Sequence, residues 1–145
     1  MEECFDIEEA CMSDCLGCFE KYIHTQNENI PETILTILVI KNSKKCLKRL
    51  LELKNIDIYI PKDYLGDTYL HLCVCNSSRY DVLEVLLEHG FDPNLQNKMG
   101  NTPLHNAAYY QEIKYVKLLL KYGGDPKIKN KINQTPENIS SRLFS

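Results

Sequence analysis

The stretch Gly100-Asn-Thr-Pro-Leu-His-Asn-Ala-Ala108 has a near copy earlier in the chain, Gly66-Asp-Thr-Tyr-Leu-His-Leu-Cys-Val74, and no other feature restricts the fold of these 145 residues so strongly. Self-similarity at a fixed period of about 20 to 50 residues marks a small supersecondary unit that cannot bury its apolar face alone and is therefore stacked on its neighbours. Both copies continue alike. The later one runs through Val116, Leu118, Leu119 and Leu120 to Gly123-Gly124-Asp125-Pro126, the earlier through Val85, Leu86 and Leu87 to Gly90-Phe-Asp-Pro-Asn94. His71 and His105 are 34 positions apart whereas Gly90 and Gly123 are 33 apart, so one extra residue belongs in a turn near Asn76-Ser77-Ser78.

Local chemistry gives each copy the same reading. A glycine-containing turn leads to Thr68 or Thr102, which can cap a helix, and Pro103 suits the first helical position because its missing N–H is not needed there. A second helix follows, with Val116, Leu119 and Leu120 on one stripe and Lys114, Lys117 and Lys121 on another, so one side is core and the other solvated. Gly90 and Gly123 mark its end. Two weaker copies flank these: Thr33-Ile-Leu-Thr36 followed by Leu50-Leu51, and Asn133-Gln-Thr-Pro-Glu-Asn-Ile139 near the end of the chain.

Thr102 to Ala107 reads T-P-L-H-x-A in full, and the unit around it resembles an ankyrin repeat. The resemblance implies an all-α solenoid of stacked helix-turn-helix units with short β-hairpin fingers and an N-terminal capping helix. It divides the chain into an acidic, Cys-rich cap at 1–28 and an array at 29–145, made of a degenerate repeat at 29–62, repeats at 63–96 and 97–129, and a half-repeat at 130–145. In ankyrin repeats the motif histidine is structural, tying one turn to the next. His71 and His105 take that role here, beside the motif residues Thr68, Thr102, Pro103, Gly90 and Gly123. No phosphate-cradling glycine loop, no H-E-x-x-H and no nucleophile placed by sequence beside a base is present, so a binding module rather than an enzyme is expected, with no cofactor.

Ankyrin proteins bind partners through fingertips and inner helices, which implies a partner-binding set in this chain. The fingertip positions are Tyr64, Leu65 and Asp67, then Lys98, Met99 and Asn101, then Lys131, Ile132 and Gln134. Cys75, Asn76, Tyr109 and Tyr110 lie at the matching ends of the inner helices. Leu65, Met99 and Ile132 recur at equivalent places, either as an apolar line offered to a partner or as a packed row that stiffens the fingers. The wording of the repeats is also similar to that of inhibitor of kappa B proteins, including short viral ones, which implies a Rel-type transcription factor as one partner. An adaptor that delivers a client to a larger complex is a second possibility.

Cys4, Cys11, Cys15 and Cys18 raise a different chemistry, a zinc- or redox-responsive head in which Cys11, Cys15 and Cys18 would be the ligands. Helical spacing weighs against it. Positions 4, 11, 15, 18 and Tyr22 share one helix face beside a stripe of Phe5, Met12, Leu16, Phe19 and Ile23, an apolar surface on which cysteine serves as a small hydrophobe, although Gly17 could break such a helix. Seven cysteines, an odd number at irregular spacing, read as reduced thiols rather than a disulfide framework.

Charge and hydropathy narrow the rest. A net charge of −3 argues against general affinity for nucleic acid, and its distribution is uneven, since residues 1 to 20 hold acids but no Lys or Arg. The longest apolar run, Ile34 to Ile40, is far short of a membrane span, and the acidic start is unlike a secretory signal. The expectation is an intracellular protein of cytoplasm or nucleus, or of a host cell if viral or parasitic, monomeric because a capped array needs no second copy.

Overall fold

The computed structural model describes residues 7–25, 31, 33–53 and 64–145, except the side chains of Glu8 and Ala10, so the readings made on Cys4, Phe5 and positions 54–63 lie outside the described residues. The described chain divides into two compact units, one holding the helices up to Leu53 and the other everything from Tyr64 onward.

In the first unit α1 (Ile7–Met12) pairs with α2 (Leu16–Thr25), and α3 (Thr33–Ile40) with α4 (Lys44–Leu53). Across the pairs, α1 meets α3 and α2 meets α4. Cys11 and Phe19 close over Leu35, Leu38, Val39, Cys46, Leu47 and Leu50, all buried. This corrects the single helical face drawn from the cysteine spacing. The helix stops after Met12, so Cys11 stands on one helix while Cys18 stands on the next.

Asp14 makes the break. It adopts the left-handed conformation at φ 49°, and its carboxylate accepts from the Lys45 and Cys46 N–H groups at 3.0 and 3.1 Å, satisfying exposed donors at the start of α4. A short polar side chain tolerates this backbone far better than most others. Gly17, the expected breaker, lies inside α2. Asn42 between α3 and α4, at φ 56°, and Gln111 in the second unit, at φ 59°, make the same kind of turn. Residues 7–25 are thus a helix pair built like the later ones. The Ser43 hydroxyl, one residue beyond Asn42, donates to the Cys11 carbonyl. An exposed Arg49–Glu20 pair at 3.0 Å adds little.

The second unit places α5 (Tyr69–Val74) and α6 (Tyr80–Glu88) before α7 (Pro103–Tyr109), α8 (Ile113–Lys121) and the short α9 (Pro136–Ile139). α5 meets α7, α7 meets α9 and α6 meets α8, so the members of each pair stack on their counterparts in the next. The length difference between the two good copies is taken up by a 3-10 turn at Ser77–Arg79. The hydroxyl of buried Tyr115 donates to the Asn76 carbonyl at 2.9 Å and seals that turn against α8. Leu70, Val82, Leu83, Leu86, Leu104, Ala107, Val116 and Leu119 fill the core.

Helix ends follow the motif residues. After α8 the Gly123 and Gly124 N–H groups return to the Leu120 and Leu119 carbonyls at 3.1 and 2.8 Å, with Gly123 at φ 89°, and Gly90 and Phe91 repeat the arrangement after α6. The fingers are turns rather than strands. Asn97 N–H meets the Asn101 carbonyl at 2.9 Å and Asn130 N–H meets Gln134 at 2.9 Å, which closes each tip with too few rungs to make a ladder, and no strand occurs among the described residues. Nor is any helix among them long and apolar enough to cross a membrane.

Replacing Asp14 with Ala should cost about 1 to 2 kcal/mol, the usual range for a lost helix cap. Amide exchange at Lys45 and Cys46 should accelerate while that of α7 stays unchanged. Asp14→Asn, which keeps an acceptor and tolerates the left-handed backbone, should restore most of the protection. Equal protection in Asp14→Ala and the wild type would contradict the capping role.

Candidate functional site

His71 and His105 are built into the start of their helices. The Thr68 N–H donates to His71 Nδ1 at 3.1 Å and the Thr102 N–H to His105 Nδ1 at 3.0 Å, with each threonine hydroxyl 2.9 Å from the same nitrogen. Because Nδ1 accepts from a backbone N–H, the ring proton belongs on Nε2. From there His71 donates to the Asn101 carbonyl at 2.8 Å and His105 to the Gln134 carbonyl at 3.1 Å, each in the following finger. Both rings are buried, and burial holds the His105 imidazole below its ordinary pKa, partly opposed by its backbone hydrogen bonds. Thr135 and Asn138 close a similar box at α9, with the amide oxygen accepting from the Thr135 N–H at 3.2 Å.

With the helix starts tied to the fingers, the fingers are held to one another. Lys98 N–H donates to the Leu65 carbonyl at 2.8 Å and Lys131 N–H to the Met99 carbonyl at 3.1 Å. Inside each tip an asparagine organises the turn: Asn97 Oδ1 accepts from Met99 and Asn101 N–H, and Asn130 Oδ1 from Ile132 and Gln134 N–H. Their amide groups then reach back one finger, Asn97 Nδ2 to Asp67 at 2.7 Å and Asn130 Nδ2 to the Asn101 side chain at 2.9 Å. Gly100, at φ 76°, sits where a Cβ would lie 2.8 Å from the Lys131 nitrogen, so any side chain there would push the stacked fingers apart.

This network sorts the residues singled out from sequence. Asp67 is buried and engaged by Asn97, which removes it from the exposed set, and Asn101 is half-buried and partnered by Asn130. Lys98 turns its ammonium onto the Tyr64 carbonyl at 2.6 Å. Asn76 is exposed but accepts from the Ser78 N–H and hydroxyl. Lys131 and Gln134 are exposed, as are Tyr64, Leu65, Met99 and Ile132, the last three 40%, 55% and 68% accessible even though their backbones are locked together.

Tyr109 and Tyr110 end α7 as an exposed edge-to-face pair, ring centroids 5.3 Å apart and planes at 83°. Beside them is a cavity of about 330 Å³, whose walls include Asn101, Asn106, Asn130, Ile132, Gln134 and Ile139. Asn106, Asn130 and Ile139 were not singled out from sequence. They reach the wall because α7, α9 and the 130–134 finger converge, which residue type does not reveal. Exposed Cys75 adjoins the same face, 3.9 Å from Asn106 Nδ2. Burial raises the pKa of its thiol, and the nearby Cys75 raises that of the Tyr110 hydroxyl, so both stay protonated at neutral pH.

Of the three proposed metal ligands, Cys11 is buried in the first unit's core, while Cys15 and Cys18 are half-buried at the start of α2. No group of three or more potential ligands is placed to hold a metal ion among the described residues.

Repeated helix pairs with stacked fingers and histidine-closed helix starts define a helical repeat domain, of a class that works by offering a preformed surface. The model for ankyrin repeats in three copies matches residues 7–97, a second for many copies matches 86–137, and the chain belongs to the ankyrin-repeat family. Such a domain is typically a protein-binding module and generally non-catalytic. The crystal structure of the ankyrin repeat domain of Bcl-3, described as a unique member of the IkappaB protein family, matches with a TM-score of 0.78 at 25% identity, over 95% of this chain and 64% of that one. Regulatory protein NPR6 of Arabidopsis thaliana is 39% identical over 77 residues, covering 52% of this chain and 16% of the relative. A putative ankyrin repeat protein of fowlpox virus, FPV031, is 49% identical over 45 residues, covering 31% and 13% respectively.

Acidification provides a test of the histidine ties. A folded-state pKa below the unfolded value means that protonation favours the unfolded chain, so the contribution of His105 is complete above about pH 6.5 and is lost as pH falls below it. His105→Asn, imitating the Thr135–Asn138 box, should lower stability by about 1 to 2 kcal/mol at pH 7.5. It should also flatten the decline in melting temperature between pH 6.5 and 5. A decline as steep as that of the wild type would show that the pH response lies elsewhere.

Proposed function

We propose that this chain is a stoichiometric regulator that binds a partner protein through the fingers at 97–101 and 130–134 together with the exposed end of α7. The observation that carries the reading is the Tyr109–Tyr110 pair standing exposed beside a cavity of about 330 Å³ with Ile132 on its wall. Large aromatic side chains next to a recess rimmed by amides are the composition of an interface hot spot. Because the fingers are locked by backbone bonds, little ordering entropy opposes binding.

Charge around this face defines the partner further. Lys98, Lys129 and Lys131 are exposed along the finger row, so a segment combining an apolar or aromatic anchor with acidic neighbours is the complementary ligand. The likeness to the Bcl-3 domain favours a second, narrower reading, an inhibitor of kappa B-like blocker of a Rel-type transcription factor. The chain matches 64% of that domain and a smaller part of each curated relative named above, so the whole-protein roles of those relatives come to it only as part of this proposal.

The double variant Met99→Asp, Tyr110→Ala should melt within about 2 °C of the wild type, as expected for surface changes. It should lose at least tenfold in affinity for any partner that the wild type captures from cell extract. Unfolding of the variant would reassign both residues to the core, and unchanged affinity would move the interface elsewhere. For the narrower reading, wild type should displace a recombinant Rel dimer from its DNA in a gel-shift titration, and failure at micromolar concentration would remove that reading while leaving the broader one.

A further inference from the structure

Residues 15 to 18 read Cys-Leu-Gly-Cys, and the two sulfurs lie 3.0 Å apart. Cys15 immediately precedes α2 and its carbonyl accepts from the Phe19 N–H at 3.0 Å, which makes it the cap residue and Cys18 the third residue of the helix. That offset places both side chains over the same helix end, as it does for Thr102 and His105 at α7. The sulfurs need approach by only about 1 Å to reach the disulfide bond length of about 2.05 Å. Both residues are half-buried, so a small reagent can reach them, and no disulfide joins them in this structure.

The other described cysteines stand in different settings. Cys11, Cys46 and Cys73 are sealed in the two cores, where burial drives the Cys46 thiol far above its ordinary pKa and the Cys73 thiol to about 12. Thiolate is the reactive form, so Cys46 and Cys73 are inert at neutral pH, while burial shields Cys11 from reagents. Cys75 is exposed, but its side-chain hydrogen bonds go to Asn106 and Tyr110, and the nearby Cys73 thiol is buried.

We propose that Cys15 and Cys18 form a redox-active dithiol that closes to an intrachain disulfide by exchange with a low-molecular-weight disulfide of the glutathione type. One of the pair, as thiolate, attacks a sulfur of oxidised glutathione. The glutathione disulfide breaks, a mixed disulfide forms, and one glutathione thiolate leaves. The second cysteine, having given its proton to water, then displaces the other glutathione. Two protons and two electrons leave the protein, and one glutathione disulfide becomes two thiols. The new ring spans the residue after Asp14, so oxidation clamps the turn from which Asp14 caps α4. This site stands in the first unit, independent of the binding face proposed for the second.

The full chain, equilibrated across a series of glutathione redox buffers, alkylated under native conditions and digested, should yield a 15–18 linked peptide lacking two hydrogens. Cys15 and Cys18 should lose reactivity together in a single two-electron transition, while Cys11 and Cys46 become alkylatable only after denaturation. In Cys15→Ser, Cys18 should stop at the mixed disulfide with glutathione. Because the linkage is mapped on wild-type protein, poor folding of the variant leaves the test intact. Cys15 and Cys18 remaining independently alkylatable at every poise would overturn the proposal, as would a bridge from either to another cysteine.

Discussion

The second unit depends on the buried imidazoles that close the starts of α5 and α7 and reach into the next finger. The bond from the Thr102 N–H to His105 Nδ1 fixes the tautomer, and the tautomer gives Nε2 its donor role toward Gln134. Neither half works alone, because without the threonine contact the ring could hold its proton on the wrong nitrogen, and without the Gln134 carbonyl a buried donor would lack a partner. The same pair of bonds at His71 sets the register of the preceding finger. Local helix capping and stacking of repeats are therefore one interaction, and the neutral ring couples both to pH.

From those ties follows the character of the exposed face. Backbone bonds from Lys98 to Leu65 and from Lys131 to Met99 absorb the polar groups of the fingers, and Asn97 and Asn130 absorb those of the tips. Leu65, Met99 and Ile132 then project from a scaffold that already satisfies its own hydrogen bonds. Apolar side chains on a rigid surface have no route to burial except contact with another molecule, a different situation from a loose loop that can fold over itself.

How much of this could be read from sequence depended on whether the cause was local. The T-P-L-H wording at α7 and its T-Y-L-H counterpart at α5, where Tyr69 stands in the place of Pro103, revealed these helix starts because cap and third-position histidine act within one turn. Comparing repeat lengths located the added turn at Ser77–Arg79. The break between α1 and α2 was not legible, since Asp14 carries no glycine or proline signal and is held by Lys45 and Cys46, far along the chain. For the same reason Asp67 looked like a surface contact: Asn97, one finger later, turns it inward. Helical spacing put Cys15 and Cys18 on a continuous face, and that single assumption concealed their meeting at a helix end.

Repeat equivalence changes the meaning of that meeting. Asp14, Asn42 and Gln111 are corresponding left-handed turn residues, so Cys15, Ser43 and Glu112 are corresponding entries to the second helix of a pair. Glu112 makes no side-chain cap bond, and Ser43 uses its hydroxyl to hold the carbonyl of Cys11. The position thus tolerates different chemistry in different repeats, because the backbone turn and not the side chain starts the helix. A thiol there can be oxidised without dismantling the fold, whereas the same change at Cys11 or Cys46 would have to open a closed core.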